Sequence, residues 1–356
     1  MASVLVALSG GVDSSVAAAL ALEAGHEVVG ATMKLWGGSS DSGCCSVSDV
    51  EDARRVAHRL GIDHHVFNFT EEFDRHVVGP YVAACGAGLT PNPCIECNRH
   101  LKFDVFVTRA CQLGFDLVAT GHHARLERER GARVRLKRGR DRRKDQSYVL
   151  SCLQAPQLER LYLPVGELTK AEVRARASSL GLPTAAKPDS QEVCFIAGGS
   201  GPAARRAFLA PRLELHPGLV IDGATGEAVG EVPAVELVTV GQRRGLGVAL
   251  GKRSYVVSVD VDRGLIVLGG EQELSQQEVG LTGRSWTGEV LSAGSRVAVQ
   301  ASAHGLLTPA ELTSGGLRLL EPRRRIAPGQ TVALYDAEEG EEVLGAGIAL
   351  GEAPAA

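Results

Sequence analysis

A short apolar strand that runs into a glycine loop and out into a helix leaves a chain few folds to choose from. Val4-Leu5-Val6-Ala7-Leu8 leads directly into Ser9-Gly10-Gly11-Val12-Asp13-Ser14-Ser15, and the helical stretch Val16–Ala24 follows. This order makes a cradle for phosphate. Gly10 and Gly11 let the backbone approach an anion closely, the amides of the helix N-terminus face it, and the helix dipole favours its charge. Ser9, Ser14 and Ser15 add hydroxyl donors, and Asp13 offers a carboxylate to a magnesium ion. No G-x-x-x-x-G-K-[ST] run occurs, so the cradle is not a Walker loop.

The next hundred residues repeat the strand–helix alternation. Val28–Met33, Val66–Phe69 and Leu117–Thr120 read as further strands. A helix is expected from the capping box Ser48-x-x-Glu51, with its apolar side on Val50, Ala53, Val56, Ala57 and Leu60 and its end at Gly61. Another is expected over Arg99–Leu113, before Gly114, and a third from the box Thr169-x-x-Glu172 to Gly181-Leu182-Pro183. The fold class this predicts is α/β, a doubly wound parallel sheet over residues 1–200, with ligands at the strand C-termini. Gly10, Met33 and Gly121 lie at or just past such ends and are expected to line one pocket. A Gly-, Pro- and Ala-rich stretch, 196–204, reads as a linker. Beyond it, short β-prone runs separated by turn residues predict a small β-rich module (201–272) and a C-terminal barrel or sandwich (273–356). Those runs are Val235–Val240, Tyr255–Asp260, Leu265–Leu268, Val297–Ala301, Leu317–Leu320, Thr331–Tyr335 and Val343–Leu350.

The net charge of −4 over 356 residues gives no global attraction to nucleic acid. Residues 125–144 are the exception: nine Arg and two Lys face only Glu127, Glu129 and Asp141, a local charge of about +8. That stretch is expected to touch RNA phosphates, against the plainer reading of a solvated loop. No run approaches the ~18 apolar residues of a membrane span. The chain opens on a strand rather than on a charged leader and apolar segment, so a cytoplasmic protein with no membrane partner is expected.

Eight cysteines in a reducing compartment are either buried apolar residues or chemistry. Cys94 and Cys97 sit in Thr90-Pro91-Asn92-Pro93-Cys94-Ile95-Glu96-Cys97-Asn98, where the prolines are expected to hold off a helix until after Asn98. A lone C-x-x-C suits redox work, half a zinc site or part of an iron–sulfur site. Cys194 stands far away, in Asp189-Ser190-Gln191-Glu192-Val193-Cys194-Phe195-Ile196. Cys44, Cys45, Cys85, Cys111 and Cys152 read as inert buried thiols.

The loop at residues 9–15 resembles that of the PP-loop ATP pyrophosphatases. Gly30-Ala31-Thr32-Met33-Lys34-Leu35-Trp36, Thr90-Pro91-Asn92-Pro93, Cys97-Asn98 and Ala119-Thr120-Gly121-His122 follow it in order. Then come Lys144-Asp145-Gln146-Ser147-Tyr148, Leu163-Pro164-Val165-Gly166-Glu167-Leu168, Asp189-Ser190-Gln191 and Val193-Cys194-Phe195-Ile196. Thr239-Val240-Gly241-Gln242-Arg243-Arg244-Gly245-Leu246-Gly247 and Pro328-Gly329-Gln330 complete the set. Over nearly its full length the chain resembles the tRNA-specific 2-thiouridylases of the MnmA type. The resemblance implies ATP- and magnesium-dependent replacement of the C2 oxygen of a wobble uridine by sulfur, in the tRNAs for Lys, Glu and Gln. It implies sulfur delivered by a relay protein or a cysteine desulfurase. It assigns ATP to Ala7, Leu8, Ser9, Gly10, Gly11, Val12, Asp13, Ser14, Met33 and Gly121. It assigns tRNA to Asn92, Pro93, Cys94, His122, Arg143, Lys144, Asp145, Gln146 and Gln330. Cys97 would be the nucleophile and Cys194 the persulfide carrier. Two positions depart from the family. Cys94 stands where an acidic residue is frequent, which opens an alternative in which Cys94, Cys97 and Cys194 hold a [4Fe–4S] cluster. At Ser302-Ala303-His304 a usual basic and aromatic pair is missing. The competing enzyme reading is a PP-loop synthetase acting on a small molecule.

Overall fold

The computed structural model describes residues 1–36, 46–128, 131, 133–189, 193–199, 201–248, 251 and 253–351. Its first unit is a parallel five-stranded sheet in the order β3-β2-β1-β4-β7. The strands are β1 (Ser3–Ala7), β2 (Glu27–Lys34), β3 (His64–Asn68), β4 (Leu117–Ala119) and β7 (Leu161–Tyr162), with a hairpin, β5 (Ala124–Glu127) and β6 (Arg135–Arg138), between the last two. β1 is central and apolar on both faces, as a strand of a covered parallel sheet must be. Val4 and Val6 enter one core with helix α1 (Val12–Glu23), helix α2 (Val47–Leu60) and Val173, while Leu5 and Ala7 enter the other. The alternation is the period of two in a strand.

Several local expectations shift. The two-residue edge strand β7 is too short to leave a sequence pattern. The cap of α2 is Ser46, whose hydroxyl accepts from the Asp49 N–H at 3.1 Å while the Asp49 carboxylate accepts back, so the box lies two residues before Ser48. Pro93 does not hold off a helix but begins one. Asn92 caps it by accepting from the Cys94 N–H at 3.1 Å, and Pro at the first helical position forfeits only an N–H that had no partner. Helix then continues through Pro93–Glu96, Cys97–Val105 and Phe106–Gln112, with π turns in the middle segment. A further helical run, 70–86, carries no clear periodicity. The proposed linker at 196–204 is in part ordered: Ile196 is buried and a helix starts at Pro202.

The second unit is a four-stranded sheet in the order β10-β11-β8-β9, from β8 (Gly218–Asp222), β9 (Ala228–Val232), β10 (Tyr255–Asp260) and β11 (Leu265–Gly269). Val235–Val240 is not one of its strands; Val235–Leu237 is a 3-10 turn. The third is a closed barrel, β12-β15-β14-β13-β16-β17. Its strands are β12 (Ser275–Trp286), β13 (Arg296–Gln300), β14 (Thr308–Leu312), β15 (Gly316–Arg324), β16 (Thr331–Asp336) and β17 (Val343–Ala349). The barrel docks on the first unit through apolar contact: Ala298, Ala333, Tyr335 and Val343 belong to the same core as Leu5 and Ala7. Tyr148 adds a hydrogen bond to the Thr331 carbonyl at 2.9 Å, and the Thr90 N–H donates to the Pro328 carbonyl at 2.7 Å. Among the described residues no helix is long and apolar enough to cross a membrane.

Candidate active site

The loop after β1 is held by its own backbone. The Ser9 N–H donates to the Ser14 hydroxyl at 3.1 Å, and Ser14 and Ser15 donate to the Gly11 carbonyl at 3.0 and 2.8 Å. Gly10 has φ +71°, and a Cβ there would stand 2.4 Å from the Asp49 carbonyl oxygen, so only glycine lets α2 approach. Gly121 is as constrained, because its Cβ would meet the Ser14 nitrogen at 2.5 Å. Strand β4 can therefore end directly against the start of α1.

A cavity of about 740 Å³ opens over this loop at the C-terminal ends of the strands. Ala7, Leu8, Ser9, Gly11, Val12, Asp13, Ser14, Met33 and Gly121 line it. Gly10 does not, since it faces α2 instead. Nor does Ser15, whose hydroxyl is fully used by Gly11 and by Thr184, which donates to it at 2.9 Å. Asp13 is not an open metal ligand in this structure. Lys170 Nζ lies 2.7 Å from both its oxygens, and His123 Nε2 lies 3.0 Å from one. Burial alone would raise the Asp13 carboxyl, but the hydrogen bonds from His123 and Lys170 outweigh it and hold the group below its ordinary range.

The opposite wall carries the sulfur. Cys94, Cys97 and Cys194 all line the same cavity, 97 residues separating the last two in sequence. Cys94 is exposed, Cys97 buried in the second turn of its helical run, and Cys194 half-buried. Phe195 anchors Cys194. Its ring lies 5.1 Å from Phe208, 5.5 Å from Tyr81, 5.7 Å from Phe73 and 6.2 Å from Trp36, centroid to centroid. These contacts fix the Phe195 ring, and with it the residue next to Cys194, against the core. Among the described residues no three His, Cys, Asp or Glu side chains are grouped so as to hold a metal ion. The three cysteines thus do not fit a cluster as they stand. Cys85 and Cys152 are buried, and burial pushes the Cys152 thiol up to about 12. Cys111 is exposed, against expectation, because it falls on the outer face of its helix. Cys44 and Cys45 lie outside the described residues, as do Ser190, Gln191 and Glu192.

Of the residues expected to meet tRNA, Pro93, Cys94, His122, Arg143, Lys144, Asp145 and Gln146 line the cavity. Asn92 and Gln330 do not. Asn92 spends its side chain as a helix cap, and Gln330 lies in the barrel turn beside Thr90. Asp145 is committed internally, to Arg138 at 2.8 Å and to Ser147 at 2.9 Å. Gln146 accepts from the His123 N–H at 2.8 Å. His122 is buried and bonded to the Thr120 hydroxyl at 2.7 Å; burial, with Lys102 and His123 nearby, keeps its ring neutral well below the ordinary histidine range. His304 and Ala303 reach the rim from the barrel.

The basic stretch is mostly neutralised. Glu341 takes Arg125 at 2.8 Å and also Arg142; Glu342 takes Arg133 and Arg135; Glu127 takes Arg135 and Lys137 at 2.6 and 2.8 Å. Arg138 lies over the Tyr335 ring and reaches Gln300 at 3.1 Å. The hairpin β5–β6 is therefore a clasp on the barrel, and the plainer reading of the charge run missed its acidic partners some 200 residues away. Arg143, exposed at the cavity mouth, is a cation of this stretch for which no side-chain partner is seen among the described residues.

Sequence reasoning also overlooked Lys170, His123, Asp49 and Lys187 on the cavity wall. Only adjacency to His122 could have pointed to one of them. Lys187 bridges Asp49 and Asp52 at 2.7 and 2.6 Å.

Comparison with known proteins agrees with this arrangement unit by unit. Residues 2–198 match the family model described as the tRNA methyl transferase HUP domain, 206–270 the tRNA methyl transferase PRC-barrel domain, and 280–349 the aminomethyltransferase beta-barrel domain. The chain is 42% identical to the tRNA-specific 2-thiouridylase MnmA of Roseiflexus sp. (strain RS-1), over 98% of this chain and 99% of that protein. It is 43% identical to the protein of the same name from Chloroflexus aurantiacus (98% of each chain) and to that from Mycolicibacterium smegmatis (96% of this chain, 97% of the other). Identity at this level across all three units, including the one that carries the phosphate loop and both distant cysteines, places the chain in the tRNA-specific 2-thiouridylase family.

Proposed function

We propose that the protein is an ATP-dependent tRNA sulfurtransferase that converts a wobble uridine to 2-thiouridine, releasing AMP and pyrophosphate. The observation that carries this reading is the placement of the phosphate loop, Cys97 and Cys194 on the walls of one cavity. A uridine C2 oxygen is a poor leaving group until it attacks the α-phosphate of ATP and becomes an adenylate. The loop amides would hold the departing pyrophosphate, whose charge develops there. Asp13, paired here with Lys170 and His123, would be the carboxylate of this wall to hold a magnesium ion, which would offset the charge of the departing pyrophosphate. The target base must leave the anticodon stack to reach C2. His122, neutral and buried, then suits a base edge rather than a phosphate.

Sulfur arrives as a persulfide on Cys194, loaded by a relay protein or a cysteine desulfurase. In one route the Cys97 thiolate attacks the inner sulfur of Cys194, forming the Cys97–Cys194 disulfide and releasing hydrosulfide, which displaces AMP from C2. In the other the terminal persulfide sulfur displaces AMP, and Cys97 then attacks the inner sulfur and frees the thiocarbonyl. Both leave a disulfide for a thiol reductant to reopen. Among the described residues the cluster route finds no three-ligand group to rest on. Methyl transfer, which two family-model descriptions mention, gives no use for paired cysteines or a triphosphate cradle.

The test is a reconstituted reaction with unmodified tRNAs for Lys, Glu and Gln, ATP, magnesium and a persulfide donor. The expected product is 2-thiouridine at the wobble position, with one AMP per sulfur. Thiolation without ATP, or ATP cleavage without any thiolated base, would contradict the reading.

A further inference from the structure

Adenylation of a uracil leaves one proton to place. When O2 bonds to the α-phosphorus the ring becomes a cation, and N3 must give up its hydrogen before the adenylate is neutral. The carboxylates that line the cavity among the described residues are already paired. Asp13 holds Lys170, Asp49 holds Lys187 and Asp189 holds Lys144, each at 2.7 Å, and Asp145 holds Arg138 at 2.8 Å. His123 turns Nε2 to Asp13 at 3.0 Å. Position 94, where the family frequently has an acidic residue, is a cysteine. His122 differs from all of these. It lines the same cavity, 8% exposed, and bonds through Nδ1 to the Thr120 hydroxyl at 2.7 Å. No partner of its Nε2 is seen among the described residues. Its place is fixed from two sides. It follows Gly121, which packs on the Asp13–Ser14 backbone at the start of α1, so it stands one residue from the phosphate loop. The Phe103 ring backs it at 5.5 Å, centroid to centroid.

We propose that His122 Nε2 accepts the N3 proton of the target uracil during adenylation and returns it when sulfur enters. Thr120 accepts the Nδ1 hydrogen, which fixes the tautomer and leaves the Nε2 lone pair for the base. As O2 attacks, the O–P bond forms and the bond from the α-phosphorus to pyrophosphate breaks. The N3–H pair becomes the C2=N3 bond, and the proton goes to Nε2. When sulfur displaces AMP, C2=N3 gives way to C2=S and N3 recovers the proton from the imidazolium. A proton carried in on hydrosulfide passes to solvent. Burial, with Lys102 and His123 nearby, holds the ring neutral, so it is ready to accept at neutral pH. It is a weak base, but the cation formed by O2 attack is a strong acid, and a weak base gives the proton back easily. The inference rests on the adenylation proposed above.

The experiment measures pyrophosphate release by rapid quench, with the full chain, ATP, magnesium and unmodified tRNA for Lys, and no sulfur donor. The unmodified protein should release a burst of one pyrophosphate per active chain, at a rate nearly flat from pH 7 to 8.5. His122→Gln should slow the burst at least 100-fold while binding ATP and tRNA within about threefold of the unmodified protein. Its rate should climb about tenfold per pH unit, because hydroxide then takes the proton. A tRNA with 5-fluorouridine at the wobble position, whose N3–H is more acidic, should recover at least tenfold of the loss. Thr120→Val, which only unlocks the tautomer, should cost at least fivefold and tests the assignment even if His122→Gln does not fold. An undiminished burst in His122→Gln would overturn the proposal. So would a slowed burst that responds neither to pH nor to 5-fluorouridine, or an equal loss in Cys94→Ser, which would move the role to that thiol. No burst from the unmodified protein would instead remove the adenylation on which the proposal rests.

Discussion

The two walls of the cavity are built in opposite ways. The phosphate wall is local: residues 7–14 form it from one strand end and one helix start, and its donors are backbone amides whose positions follow from Gly10, Gly11 and Gly121. The sulfur wall is assembled from distant pieces. Cys97 comes from a helical run capped by Asn92, and Cys194 from a segment pinned by Phe195 among four rings. A wall made of backbone tolerates side-chain change except where a Cβ would collide. A wall made of single side chains is sensitive to each.

The sharpest break between the walls comes from the cysteines. Cys97→Ser and Cys194→Ser should each abolish thiolation, by at least 10³-fold, while ATP binding measured calorimetrically stays within about twofold. Equal loss of ATP binding would mean that the walls are not separable. On the phosphate side, Gly121→Val should cost more than any loss of a hydroxyl, because the new carbons meet the Ser14 and Asp13 backbone. A loss of ~2–4 kcal/mol in stability is expected, with ATP binding lost in parallel; thermal unfolding with and without ATP reads both. Cys94→Ser sharpens the sulfur wall. It should keep most activity with a persulfide donor, and iron-dependent activity that vanishes in this variant would restore the cluster.

These outcomes bear on what a sequence can disclose. The loop and the parallel sheet were legible because strand, glycine turn and helix are contiguous and periodic. Thr169-x-x-Glu172 capped its helix as expected, with Thr169 donating to the Glu172 carboxylate at 2.7 Å through its N–H. Three barrel strands, β13, β16 and β17, were legible within a residue or two; β15 was read four residues short, and β12 and β14 were missed. Illegible were the pairings made across the chain. The charge of residues 125–144 pointed to RNA, but Glu341 and Glu342 pair with Arg125, Arg133, Arg135 and Arg142 of it. Asp13 looked like a metal ligand, but Lys170 arrives from 157 residues away. Proline at 93 suggested a break, yet the side chain of Asn92 turned it into a start. In each case the missing partner, not the residue itself, decided the role.

A smaller effect tests the clasp. Glu341→Gln with Glu342→Gln releases several half-exposed arginines, each pair worth ~0.2–1 kcal/mol. Melting should drop by a few degrees, and tRNA binding should gain salt dependence as freed arginines meet phosphates. An unchanged salt slope would mean that these arginines do not reach RNA even when free.

The smallest effect is a pH dependence. His122 is held neutral in the folded state below its unfolded value of 6.5. Below that pH the unfolded chain gains a proton that the folded chain refuses, so stability falls as pH falls, by up to about 1 kcal/mol per unit. Above pH 6.5 this contribution is constant. His122→Gln should flatten part of the slope between pH 6.5 and 5 in denaturant unfolding; an identical slope would place the titration elsewhere. Asp189, brought down to about 2 by Lys144 and Lys170 against the effect of burial, stabilises the fold above pH 4 and loses that contribution only as pH falls toward 2.

The account stands on the two walls serving one reaction. Its most direct test is a single turnover of protein pre-loaded with persulfide on Cys194, mixed with ATP, magnesium and unmodified tRNA in the absence of reductant. Mass spectrometry should find one 2-thiouridine, one AMP and one Cys97–Cys194 disulfide per active chain, and neither 2-thiouridine nor AMP when ATP is withheld. Thiolated tRNA formed while Cys97 remains a thiol would contradict it.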